Sequence, residues 1–362
     1  MEELEGILAN FNESIQMLEN ARKAGMPSEM DLAICYNRRG MLYFQVNMFD
    51  ESITDFDKSI EIIEQMRSEG KQFNENELAN AYSCRGMMYH VIGEFDQALP
   101  DLSKSIEIWE RFLDSGIPID ESMLFNMYIM RGGTLNRICD HIDDAISDYQ
   151  KSIKLAESIL NAGEPFDDGF ASAYMGLGQS YDQKEEFFEA NEHYNKCIKI
   201  WEQMQNEGQE LSGESEGSLA MAYMNRGANH HSLNENDKAL ADYNKSISIR
   251  EGLQKKGVEQ DVFDLVMVYG NRALVYKDGR NIRAAINDYI FALRALKEEF
   301  EEHPELQEVY YDTLDKAIEL IAYEKDKTLH SNVIQEFLYS MRSVPKTEEA
   351  EEAQNNILEQ LE

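Results

Sequence analysis

Apolar residues recur along this chain three and four positions apart, and the resulting stripes come in two alternating kinds. The first kind places a Tyr, a small residue and a further aromatic on one helical face, as at Tyr36, Gly40 and Tyr43. The second kind steps by four from Ala to an aromatic or Leu to Ile, as at Ala98, Leu102 and Ile106. A glycine follows the second stripe, at Gly25, Gly70, Gly116, Gly163, Gly208 and Gly257, where a left-handed C-cap ends a helix, and Pro304 takes its place in the last repeat. A repeating helical hairpin follows, and with it an all-α fold. The six prolines of the 362 residues leave room for long helices.

The hairpin is present in six copies. The tetrad YNRRG at Tyr36 to Gly40 returns as YSCRG from Tyr82, YIMRG from Tyr128, YMGLG from Tyr174, YMNRG from Tyr223 and YGNRA from Tyr269. Its last position falls at Gly40, Gly86, Gly132, Gly178, Gly227 and Ala273, steps of 46, 46, 46, 49 and 46 residues. The second block reads SITDFDKSI from Ser52, ALPDLSKSI from Ala98, AISDYQKSI from Ala145, ANEHYNKCI from Ala190, ALADYNKSI from Ala239 and AINDYIFAL from Ala285, with one extra residue in the turn of repeat three. A glycine inside a helix gives up about 1 kcal/mol of propensity, so its recurrence points to two backbones in close approach. Self-similarity at such a period is the mark of a solenoid, in which each unit buries its apolar face only against its neighbours.

These columns resemble the tetratricopeptide repeat family, which pairs helices through Gly, aromatic, Ala and aromatic residues at this spacing. The likeness runs from about residue 31 to 300. Here the period exceeds the family's 34 residues by about 12, which lengthen the second helix and the loop, as in the run from Ser105 to Gly116. Extended-period arrays of this kind are found in bacterial and signalling proteins. The resemblance implies a right-handed α-solenoid of helix-turn-helix repeats, closed by capping helices at its ends. Residues 1–25 then form an N-terminal half-repeat or cap, because NESI at Asn12 aligns with DKSI at Asp57; equally, the chain is a segment of something longer. Six repeats fill 31–301. Residues 302–344 supply capping helices (305–324 and 329–342, with Tyr310, Leu314, Ile318, Phe337 and Met341 on the apolar side). Residues 345–362 form an acidic helix or tail with a thin stripe at Ile357, Leu358 and Leu361.

One pair of columns carries charge. Arginine stands at Arg39, Arg85, Arg131, Arg226 and Arg272, and aspartate at Asp55, Asp101, Asp148, Asp242 and Asp288; in repeat four both change, to Leu177 and His193. Residues that come and go together across copies predict an ion pair between the two helices of one hairpin, rather than a ligand-binding row of arginines.

In the resembled family the groove is lined by first-helix positions beside this packing face. Those positions hold Asn37, Arg38, Met41 and Gln45; Asn80, Met87 and His90; Asn126, Ile129, Met130 and Arg137; Met175, Gln179 and Asp182; Met221, Met224, Asn225 and His231; Met267, Asn271, Leu274 and Lys277. Methionine packs against varied apolar side chains, and asparagine can bond a peptide backbone through both donor and acceptor. The family's Lys, Asn and Arg clamp for a terminal carboxylate is incomplete here, so an internal segment or a folded surface is the expected ligand.

Composition narrows the partner. A formal charge of −35 repels nucleic acid and anionic membrane over most of the surface, and favours a solvated, self-repelling monomer or weak homo-oligomer over an acidic docking face for a basic partner. No stretch has the length of a signal peptide core or a bilayer span. Four cysteines (Cys35, Cys84, Cys139 and Cys197) without a Cys-x-x-Cys pair fit a reducing, cytoplasmic setting. Gly176-Leu-Gly178 lacks the third glycine of a dinucleotide fingerprint, and His230-His231 lie about 100° apart on a helix, unsuited to share a metal. The expected function is a scaffold or adaptor without cofactor or catalysis that binds a protein or peptide. A regulatory or sensing arm of a larger machine is the alternative, and an enzyme a remote third.

Overall fold

The computed structural model describes residues 2–138, 141–161, 168–258, 261–299, 303 and 306–323. Among these it contains fourteen α-helices and no strand: α1 (Glu2–Lys23), α2 (Glu29–Gln45), α3 (Phe49–Ser68), α4 (Glu75–Val91), α5 (Phe95–Asp114), α6 (Glu121–Ile138), α7 (Ile142–Asn161), α8 (Asp168–Gln183), α9 (Phe187–Asn206), α10 (Gly213–Ser232), α11 (Asn236–Lys255), α12 (Val262–Asp278), α13 (Ile282–Glu299) and α14 (Leu306–Tyr323). The chain divides into two compact units, residues 1–184 and 185–362. The all-α solenoid class read from the periodicity stands. The expected second capping helix and acidic tail, Cys139, Gly163 and Pro304 lie outside the described residues.

In the first unit, α2 packs on α3, α4 on α5 and α6 on α7, and each second helix packs in turn on the next first helix. The first helices also touch one another, α2 with α4, α4 with α6 and α6 with α8. In the second unit α10 pairs with α11 and α12 with α13, α10 touches α12, and α14 covers α13. Tyr310 and Leu314 of α14 are buried there. Each unit has its own continuous apolar core.

The recurring marks are the joints of this stack. A Cβ added to Gly86 would stand 2.9 Å from the Leu102 side chain, and one on Gly227 would stand 3.0 Å from the Tyr243 ring, so the small residue sits where the hairpin's helices touch. All five arginines form bidentate pairs with the aspartate sixteen or seventeen residues on: Nε and Nη2 of Arg39, Arg85, Arg131, Arg226 and Arg272 lie 2.6–2.8 Å from Asp55, Asp101, Asp148, Asp242 and Asp288. Each aspartate is buried.

The same guanidinium reaches backward as well. Its Nη1 donates to Asn12, Asp57, Ser103, Asn195 or Asn244, all on the second helix of the preceding repeat. In four of these repeats it also lies 5.2–5.8 Å from the centre of the tetrad tyrosine's ring. One side chain thus closes its own hairpin and ties that hairpin to its neighbour. Removing only the arginine strands a buried aspartate, a loss on the order of 3–5 kcal/mol. Arg85→Ala therefore lowers the melting temperature of the chain while leaving partner affinity unchanged in the folded fraction; calorimetry beside a binding titration checks both, and a stable variant that no longer binds contradicts this assignment.

Candidate binding surface on the first helices

Three of the first helices carry side-chain caps at their starts, with Asn74, Ser212 and Asp261 accepting from backbone N–H groups of α4, α10 and α12. Their Tyr–Gly face is spent on the hairpin. What remains in the first unit is a wall made by α2, α4, α6 and α8, and the residues expected to bind fall into two groups on it.

One group is exposed. Arg38, Met41, Gln45, Asn126 and Arg137 face solvent, Met41 at 49%. The other group fills the seams between adjacent first helices. Asn37 is buried at 5%, and its Nδ2 donates to the Glu77 backbone oxygen at 3.1 Å. A flipped amide would set oxygen against oxygen at that contact, so the orientation is fixed. Its Oδ1 is buried with no hydrogen-bond partner, as is Oδ1 of half-buried Asn80 on α4. Met87, Ile129, Met130, Met175, Gln179 and Asp182 are half-buried, with Met130 packed against the core.

His90 also lies in a seam. Its Nδ1 is 2.9 Å from the Thr134 hydroxyl, whose proton goes to the Met130 carbonyl, so Nδ1 carries the hydrogen of this bond. Burial, with Arg137 nearby, holds its pKa below the usual value. Further along, Asn136 donates to the Gly176 carbonyl and stands 2.9 Å from the Ser180 hydroxyl, joining α6 to α8.

The second unit shows the same division. Met267, Leu274 and Lys277 are exposed, while Met221, Met224 and Asn271 are half-buried. Asn225 donates to the Tyr194 hydroxyl, and His231 Nε2 lies 2.8 Å from Asp278 across the seam from α10 to α12. His230 turns instead to Glu235 at 2.6 Å, so the adjacent histidines serve different partners. Gly176-Leu-Gly178 lies inside α8, where no phosphate loop forms. Burial pushes the thiols of Cys84 and Cys197 up to about 11 and about 12, far from a reactive range.

With this geometry in view, the model of the tetratricopeptide repeat matches residues 33–66, 171–202 and 220–252, which are the helix pairs of repeats one, four and five. The chain carries tetratricopeptide repeats. The first match begins four residues into α2 and ends two before the end of α3, so the added length of this tetratricopeptide unit lies partly in the first turn of the first helix, as well as in the second helix and loop.

Solved structures share the tetratricopeptide-type fold. The apo quorum sensor NprR from B. thuringiensis is 13% identical, with 100% of this chain and 99% of that one covered at a TM-score of 0.53. Apo RapI is 15% identical over 81% and 99% at 0.53, and aspartyl phosphate phosphatase F from Bacillus subtilis is 17% identical over 91% and 76% at 0.52. At these identities the likeness carries the fold alone. No curated protein matches the chain in a sequence comparison. No helix among the described residues is long and apolar enough to cross a membrane.

One column of the tetratricopeptide array escaped the sequence reading. The tetrad tyrosines Tyr36, Tyr82, Tyr128, Tyr223 and Tyr269 donate their hydroxyls to Glu19, Glu64, Glu110, Glu202 and Glu251 on the preceding second helix. Each glutamate stands four residues after the Ile that closes the second stripe, a regularity present in the sequence itself.

His90 gives the wall a pH dependence of definite sign. The unfolded chain takes up this proton near pH 6.5, and the folded wall only at lower pH, so its contribution is full above 6.5 and declines as pH falls through the folded value. The melting temperature should fall between pH 7.5 and pH 5, and fall less for His90→Gln; equal drops would remove His90 from the account.

Proposed function

We propose that this chain is a non-catalytic interaction scaffold that holds an extended peptide segment, or the edge of a protein surface, along the first-helix wall. The observation that carries the reading is the pair of buried amide oxygens at Asn37 and Asn80, on adjacent first helices and without a donor. An unpaired buried acceptor costs about 1–3 kcal/mol, a cost that a donor brought by a ligand would remove. Backbone N–H groups of an extended peptide are such donors. Met41 and Met87 offer adaptable apolar contact for its side chains. No step of this reading calls for a cofactor.

A second reading, a signal-responsive arm of a larger assembly, draws support from the fold shared with the quorum sensor NprR over the whole of this chain. The two differ in whether the partner remains bound in every state or only when a signal peptide is present.

Affinity capture from the native lysate tests the leading reading. The chain should retain a defined protein that is lost with Met87→Glu combined with Asn126→Ala, while circular dichroism shows the helices intact. Undiminished capture by that variant places binding elsewhere.

A further inference from the structure

A crevice of about 430 Å³ is formed in the first unit by α1, α2 and α3, within the size range of small-ligand sites. Its floor is apolar: Leu32 and Tyr36 of α2 and Ile62 of α3 are all buried. Its rims carry charge of both signs, from Glu19, Arg22 and Lys23 on α1 and from Lys58 and Glu61 on α3. Two of these groups are already engaged. Glu19 accepts the Tyr36 hydroxyl at 2.7 Å, and Arg22 donates to Gln65 Oε1 at 2.8 Å, joining α1 to α3. Lys58 and Glu61 stand three positions apart on α3, on neighbouring points of one helix face, and both are exposed. Neither has a hydrogen-bond or ion-pair partner among the described residues; Lys58 Nζ lies 5.0 Å from the centre of the Tyr36 ring. In the next two repeats the same lysine column is spent on cohesion. Lys104 Nζ reaches the Tyr82 hydroxyl at 3.3 Å, and Lys151 pairs with Glu110 at 2.8 Å.

We propose that this crevice binds a free apolar α-amino acid, its carboxylate at Lys58, its ammonium at Glu61 and its side chain on the floor of Leu32, Tyr36 and Ile62. A simple carboxylate would answer Lys58 but set its charge beside Glu61, and a simple amine would do the reverse. A zwitterion answers both with charge-assisted hydrogen bonds, and brings no net charge to a chain of formal charge −35. The floor then sets the side chain, since only an apolar one gains by leaving water there. An exposed ion pair contributes little by itself, so affinity comes from the two charges and the floor acting together. The crevice uses none of the residues assigned to the first-helix wall, and the inference stands independently of what that wall holds.

Isothermal titration calorimetry of the full chain with L-leucine, L-methionine and L-phenylalanine tests this. At least one should bind at a single site, and its amide, which lacks the carboxylate, and its N-acetyl derivative, which lacks the ammonium, should each bind about fivefold more weakly or worse. Lys58→Met should weaken the free amino acid by a similar factor and leave the amide unchanged. Glu61→Gln should weaken the free amino acid and leave the N-acetyl derivative unchanged. Both side chains are exposed, so the melting curve of each variant should match that of the parent chain. Lys104→Met, in the same column one repeat on, should leave binding as it is. No heat of binding at about 10 mM, or binding indifferent to both substitutions on α3, overturns the site. An amide or an N-acetyl derivative that binds as tightly as the free amino acid overturns the zwitterion.

Discussion

The structure depends on one guanidinium, used five times. In every repeat that carries it, the arginine of the tetrad is pinned in a bidentate pair to the buried aspartate of its own second helix, and its remaining nitrogen reaches the second helix before. An ion in so dry a place is stable only because each donor is matched and the geometry is planar on both sides. The tyrosine hydroxyl beside it adds a further bond to the previous repeat. In a stack of two-helix units each repeat contacts only its neighbours, so integrity rests on such nearest-neighbour links and the apolar contacts around them.

On the proposed function, this division of labour leaves the variable positions for binding. Residues that recur in every copy are occupied with cohesion, whereas first-helix positions that vary carry exposed methionine, amide and arginine side chains. Repeat four departs from the rule: Leu177 is a buried apolar residue in place of the arginine, and His193, in place of the aspartate, is held at about 4 by burial, with Lys196 adding to the effect. The boundary between the two compact units, after Lys184, falls in the turn of that same repeat.

Much of the fold was legible because it is written six times. Periodicity located the hairpins, the glycine columns marked the tight contacts and the C-caps, and covariation between copies identified the Arg–Asp pair from a single chain. The candidate binding surface was less legible. Asn37, His90, Asn225 and His231 satisfy the sequence criteria for a groove, yet each also bonds a neighbouring helix, and only the packing between repeats reveals that second task.

Hydrogen exchange on the full chain, with and without a peptide selected on it, bears most directly on the claim that variable first-helix positions bind while recurring ones cohere. The account predicts slower exchange in α2, α4 and α6 upon binding, with α3, α5 and α7 little changed. Protection confined to the second helices would contradict it.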